Sequence, residues 1–264
     1  MNRLQPTFRL LIAAVLSLIL AGGSLGQEFR VETDVFLDDA KEPFSQHITV
    51  FSGSVVYDFT LPGPEETTIV GPKEVTILDT VRGKVVLLNV LKQEKAELTT
   101  ADLLEFTAQI KQVAQRDQAN ELLLPQFEKA FDKQQQILEL RSKHLTYRVT
   151  GISPRQSPAV DRYREFADWY CRLNAMRPGN LPPFGRLELN RNLAEHGLLP
   201  QEIERNLRLG KVLPTTHTAR SKHLIQWQLS NTDRRRIRDA GGQRVSFPTV
   251  SLQKYMQLEK VAER

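Results

Sequence analysis

The segment LSNTDRRRIRDAGG (229–242) places Arg234, Arg235, Arg236 and Arg238 within five consecutive positions. Guanidinium groups at this density are suited to gripping a polyanion or an acidic protein surface. Ser230 and Asp233 have the spacing of a capping box, so the run is expected on a short helix that ends at Gly241. On that helix Arg234 and Arg238 share a face at i, i+4, and Arg235 meets Asp239 at the same spacing. The four arginines therefore fan around the helix, with Ile237 as its large apolar anchor. This suits a solvated face better than a groove. As a binding feature, the four form a candidate basic patch for an anionic partner.

Other reactive side chains are dispersed. His47, His144, His196, His217 and His223 are scattered. The six-residue separation of His217 and His223 supplies no third ligand for zinc. Asp38–Asp39 and Glu65–Glu66 sit in polar, turn-like segments. Asp58 and Asp79 follow apolar strands in VVYDF and VTILD, where acids commonly satisfy turn amides. Cys171 is the single cysteine, so no intrachain disulfide can form. It lies in the amphipathic FADWYCRLN, where it reads as a small buried hydrophobe. The chain contains no Walker A, dinucleotide-binding, nucleophile-elbow, C-x-x-C or H-E-x-x-H motif. No catalytic residue, cofactor or metal is assigned.

These side chains sit on a chain with an uneven charge distribution. Residues 27–140 hold 11 Lys+Arg against 20 Asp+Glu, and residues 141–264 hold 23 against 11. Such a split means either two halves that compensate one another or a basic face meant for an anionic partner. At the N-terminus, Arg3 and Arg9 precede the apolar Leu10–Ala21 and the small residues GGSLG. This is the three-part pattern of a secretory signal peptide, expected to be cleaved after Gly26, or alternatively after Gly23. The apolar run is shorter than the ~20 residues of a bilayer-spanning helix. A secreted or periplasmic protein is expected, which makes nucleic acid an unlikely partner.

The first third reads as an antiparallel meander. HITVFSGSVVYDFT (47–60) alternates about a bend at Gly53, TTIV is a short strand, EVTILD and KVVLLNVL flank a tight turn at Gly83, and KAELT adds another strand. Thr99 and Asp102 then cap a helix through Val113, and NELLLPQFEKAF (120–131) continues as a second helix broken at Pro125. Residues 135–152 return to strand alternation. SPAVDRYREFADWYCRLNAM is an amphipathic helix capped by Ser157, burying Tyr163, Phe166, Ala167, Tyr170 and Leu173. NLPPFG is a rigid corner with Phe184 in the core, followed by a helix stopping near Gly197. Residues 201–210 are compatible with helix or strand, 222–230 form a strand, and Ser251 caps a terminal helix. The expected fold is a single α+β domain over 27–264. Its antiparallel sheet is built from both ends of the sequence, with helices packed on one face.

The signal segment, the VVYDF–VTILD–KVVLLNV meander and LPPFGRLELN together resemble exported bacterial proteins of unknown function. The architecture alone is similar to periplasmic carriers of lipoproteins, which set helices over an apolar cavity on a curved antiparallel sheet. That resemblance implies no functional residue. The first reading is a non-catalytic exported protein that binds a protein or envelope polymer. The second is a carrier of lipid or another apolar ligand, in a sheet–helix cavity lined by Val55, Tyr57, Leu87, Phe166 and Tyr170. The third is a hydrolase with a dispersed site.

Overall fold

A computed structural model describes residues 28–66, 68–116, 121–210 and 215–256. The expected signal segment and the chain beyond Met256 lie outside the described residues. The strands are β1 (Phe29–Leu37), β2 (Ser45–Ser52), β3 (Val55–Thr60), β4 (Glu74–Asp79), β5 (Lys84–Asn89), β6 (Glu94–Thr99), β7 (Glu128–Asp132), β8 (Ile137–Arg141), β9 (Leu145–Ile152), β10 (Leu199–Leu209) and β11 (Thr215–Gln226). All belong to one antiparallel sheet in the order β6-β5-β4-β3-β2-β1-β11-β10-β9-β8-β7. Each half is a meander, β1–β6 and β7–β11, and the seam between them is the β1–β11 pair. The helices are α1 (Thr100–Arg116), α2 (Pro158–Ala175), α3 (Phe184–Glu195), α4 (Asn231–Ser246) and the short α5 (Leu252–Tyr255).

Strand alternation divides the side chains between two faces. On the inner face, α2 covers Phe29, Phe51, Val56, Leu78 and Leu87, and α1 adds Leu103. Phe29 and Phe51 stack at 4.1 Å, and Phe166 of α2 meets Phe51 edge-on at 5.7 Å. Further along the same face, Leu189 and Leu193 of α3 cover Leu138, Leu145, Tyr147, Val149, Ile203 and Leu207. The expected helix layer on one face is therefore present. A fourth helix, α4, lies on the outer face, where Ile237 and Ala240 pack against Ile48, Val50, Phe59, Ile77 and Val86. The edge of β6 is closed by the chain after α4: Lys95 N–H donates to Pro248 O and Val250 N–H to Lys95 O. This removes an unpaired strand edge.

Local signals explain most element boundaries. Thr99 and Asp102 form the expected reciprocal cap, with Asp102 N–H donating to Thr99 Oγ1 at 3.1 Å and Thr99 N–H to Asp102 Oδ2 at 2.6 Å. Ser230 and Asp233 repeat it. The arginine helix runs through Gly241–Gly242 to Ser246 rather than ending at Gly241. Neither glycine has a positive φ, so nothing there turns the chain into a C-cap.

Several expectations need correction. Residues 47–60 are two strands, because Gly53 takes φ +57° in a tight hairpin. Residues 68–70, the described part of TTIV, are not strand. The helix expected over 120–131 does not form where the chain is described. Glu128–Asp132 instead pairs with Ile137–Arg141, across a turn in which Asp132 accepts from the amides of Gln134 and Gln135. Pro125 lacks the amide a helix would need, and the hairpin satisfies the remainder. Residues 135–152 are two strands, β8 and β9, separated by Ser142–His144. Ser157 is itself helical and makes no side-chain cap. The ambiguous 201–210 segment is strand up to Leu209.

Candidate ligand groove

Where the cover passes from α2 to α3, the inner face is left open. Tyr147 of β9 stands opposite Arg205 of β10, and Arg205 opposite Ala219 of β11. Ile203 pairs with Ser221, and Ser221 with Val35 of β1. From above, α2 contributes Cys171 and Asn174, the corner contributes Asn180–Pro183, and the first turn of α3 contributes Arg186. These residues enclose a solvent-open cavity of ≈ 310 Å³. Arg186, Arg205 and Arg220 line it, and no Asp or Glu does.

The arginines differ in their partners. Gly185 brings the start of α3 close to β9, since a Cβ there would lie 2.8 Å from Leu145 Cδ2. Arg186 is thereby set over the sheet. Its Nε donates to Asn190 Oδ1 at 2.9 Å, and Asn190 donates in turn to Asp168 Oδ1 at 2.8 Å. Arg186 also donates to the Tyr163 hydroxyl. Arg205 Nε is buried and has no hydrogen-bond partner among the described residues. Among the described residues neither Arg186 nor Arg205 has a carboxylate within ion-pairing distance. Arg220 Nε is likewise buried without a hydrogen-bond partner, but this guanidinium lies over the Phe36 ring at 5.1 Å and has Glu202 3.8 Å from its Nε.

Cys171 faces the same space, but burial pushes its pKa up to about 12. The thiol donates to Asp168 O at 3.3 Å. A group held in the thiol form does not act as a nucleophile at neutral pH.

Beside the groove a polar belt crosses the inner face. Thr33 of β1 lies between His223 of β11 and His47 of β2. Thr33 Oγ1 and Ser221 Oγ each lie 3.0 Å from a His223 ring nitrogen. Burial, reinforced by the Arg186 charge, pushes the His223 pKa down to about 3, so the ring is neutral at pH 7. His47 behaves oppositely. Burial alone would lower its pKa, but the charge and hydrogen bond of Asp58, at 3.0 Å, outweigh this and raise it. Burial would likewise raise the Asp58 pKa, yet His47, Thr49 (2.7 Å) and the Tyr170 hydroxyl hold it below its usual value.

Ser45 Oγ lies 2.7 Å from His47 Nε2, which completes a hydroxyl–imidazole–carboxylate line. The pairing with Asp58 raises the His47 pKa and fixes the orientation of its ring, and the hydroxyl, imidazole and carboxylate partner one another along the line.

Of the residues singled out from sequence, Leu87, Phe166 and Tyr170 share the inner face, whereas Val55 and Tyr57 belong to the outer cluster under α4. The five do not line one space. The hole beneath Phe166 and Tyr170 measures only ≈ 10 Å³, about the limit for a single water. In the basic run, Arg234 pairs with Glu28 at 2.8 Å and Arg236 approaches Asp233 at 3.4 Å. Arg235 and Arg238 are exposed, and the expected Arg235–Asp239 pair is not formed. Asp233 is the charged residue this helix buries, and it accepts from Arg30 Nη1 at 3.0 Å.

Asp79 satisfies a turn as expected, accepting from Arg82 N–H at 3.0 Å. Phe184 is only partly buried, while Pro183 is buried as part of the groove wall. Among the described residues no three His, Cys, Asp or Glu side chains converge as a metal site. No helix among them is long and apolar enough to cross a membrane.

Sequence reasoning missed Arg186 and Arg205. One signal was available: in β10 the inward positions read Ile203, Arg205, Leu207, an arginine in phase with two core residues.

No family model matches the chain, and no curated protein matches it. Among solved structures, it is similar to the crystal structure of a LolA superfamily protein from Nitrosomonas europaea. The match covers 78% of this chain and 87% of that one, at 8% identity and a TM-score of 0.25.

Proposed function

We propose that this chain is an exported, non-catalytic binding protein that takes an amphipathic small molecule in the groove between α2, the Asn180–Pro183 corner and the central strands. The observation that carries this reading is the gap in the helix layer. Beneath Phe166 and Tyr170 only ≈ 10 Å³ is left, while here ≈ 310 Å³ stays open against the sheet itself. That volume is at the lower end of small-molecule sites. Val35, Leu181, Pro182, Ile203 and Ala219 provide apolar wall, and the polar groups converge from α2, α3 and β11. Export rests on the N-terminal signal pattern.

Native mass spectrometry of the chain purified from its exported fraction tests the reading. A retained small-molecule mass is expected, lost in Ala219→Trp, which fills the groove from the sheet side. A bare polypeptide mass, with no uptake of added amphiphiles, would overturn it.

A further inference from the structure

Building on that groove, we propose that its ligand carries an anionic head group, a carboxylate or a phosphate, held jointly by Arg186 and Arg205. Several partly buried arginines elsewhere in the molecule have carboxylate partners, although Arg172 instead lies over the Trp169 ring and donates to Asp168 O. Arg30 pairs with Glu32 and Asp233, Arg177 with Glu74, and Arg236 with Asp233. The groove departs from this habit. Its two inward-facing guanidinium groups have no acid to pair with, and its lining contains none.

Desolvating a cation without a partner is costly, and two like charges in one cavity oppose each other. An entering anion relieves both. Arg205 sharpens the point, because its buried Nε has no acceptor among the described residues. A planar guanidinium fork matches the oxygens of a carboxylate or phosphate, so an anion seated there can take that bond. Arg186 is braced for the same task by Asn190, which fixes its Nε and leaves the terminal nitrogens to be shared with Tyr163 and the ligand. Tyr147 and Ser221 lie beside them as neutral donors. An apolar tail would lie along Leu181, Pro182 and Ile203.

The test compares three ligands of one chain length, decanoate, decyl phosphate and decan-1-ol, titrated calorimetrically into the whole exported chain. Both anions are expected to bind at least tenfold tighter than the alcohol, and the tighter of the two identifies the head group. Arg205→Met should remove most of that advantage while leaving the alcohol unchanged. Arg205→Lys should restore part of it, which separates loss of charge from loss of fold. Arg208→Met, at the exposed end of the same strand, should change nothing. Equal binding of alcohol and anions, unaltered in Arg205→Met, would overturn the head-group assignment and leave the groove reading standing. Failure of all three ligands to bind would overturn the groove reading itself.

Discussion

Two stretches of the inner face, built from the same sheet, reach opposite outcomes. Under α2, the strands β2–β5 present Phe51, Val56, Leu78 and Leu87, and the helix returns Phe166 and Leu173. Almost no space remains. At the seam and beyond it, from β1 to β10, the inward positions become Val35, Ala219, Ser221 and Arg205, which are small, polar or charged. The helix layer does not close over them. One half of the surface is shaped by packing. The other is shaped by what packing leaves out, and substitutions should have correspondingly different effects in the two places.

The largest effects belong to the filled half. Phe166→Ala should lower unfolding free energy by about 3–5 kcal/mol in a denaturant titration, the usual cost of an aromatic truncated in a core. Asp58→Ala should cost about 1–3 kcal/mol, because it removes the acceptor shared by Thr49, Tyr170 and His47 and leaves buried donors unsatisfied. A loss below about 1 kcal/mol in either would mean that this half is not the rigid part.

The belt between the halves should show itself through pH. The folded His223 pKa is depressed to about 3, so its contribution is complete above the unfolded-state value of 6.5 and is lost as pH falls toward the folded one. At one proton per molecule the slope is about 1.4 kcal/mol per pH unit, or about 2 kcal/mol between pH 6.5 and 5. His47 has the opposite sign. Its pKa is raised, so its contribution is full below 6.5 and declines as pH rises through the folded value. Asp58, with its pKa lowered, contributes above 3.8 and loses that contribution as pH falls through its folded value. His223→Gln should flatten the acid limb of a stability–pH curve. An unchanged slope would show that the ring is not held neutral.

The smallest stability effects should lie in the open half and on the outer helix. Arg205→Met, without ligand, should shift stability by less than about 1 kcal/mol, since no ion pair is broken. Arg234→Glu should cost roughly 0.2–1 kcal/mol, as expected of an exposed pair with Glu28. Thermal melts in low and high salt would check the second, because screening should erase the difference.

The same contrast explains what could be read from the sequence. Caps, tight turns and the α2 stripe are local, and Thr99–Asp102, Ser230–Asp233 and Tyr163–Phe166–Tyr170–Leu173 could be read directly. β1 is hard to read because Thr33 interrupts its Phe29, Val31, Val35 alternation, although that strand lies at the centre of the sheet. The two-sided covering was also hidden. Alternation tells which residues share a face but not which helix covers it, so Val55 and Tyr57 were assigned to the wrong side. The groove depends on residues from four strands and two helices. No local pattern links Arg186 to Arg205.

The seam has a consequence in time. β1 finds one neighbour immediately in β2, but its other partner, β11, is synthesised only after β2–β10 and the three helices between them. Until then the first meander carries an exposed strand edge in what will become the middle of the sheet, and an edge of that kind invites pairing with other chains. Closure spans nearly the whole sequence and is therefore slow for a chain of this size. The step that removes the edge is also the one that brings Val35 beside Ala219 and Ser221. The ligand seat and the protection against aggregation are completed by the same late event.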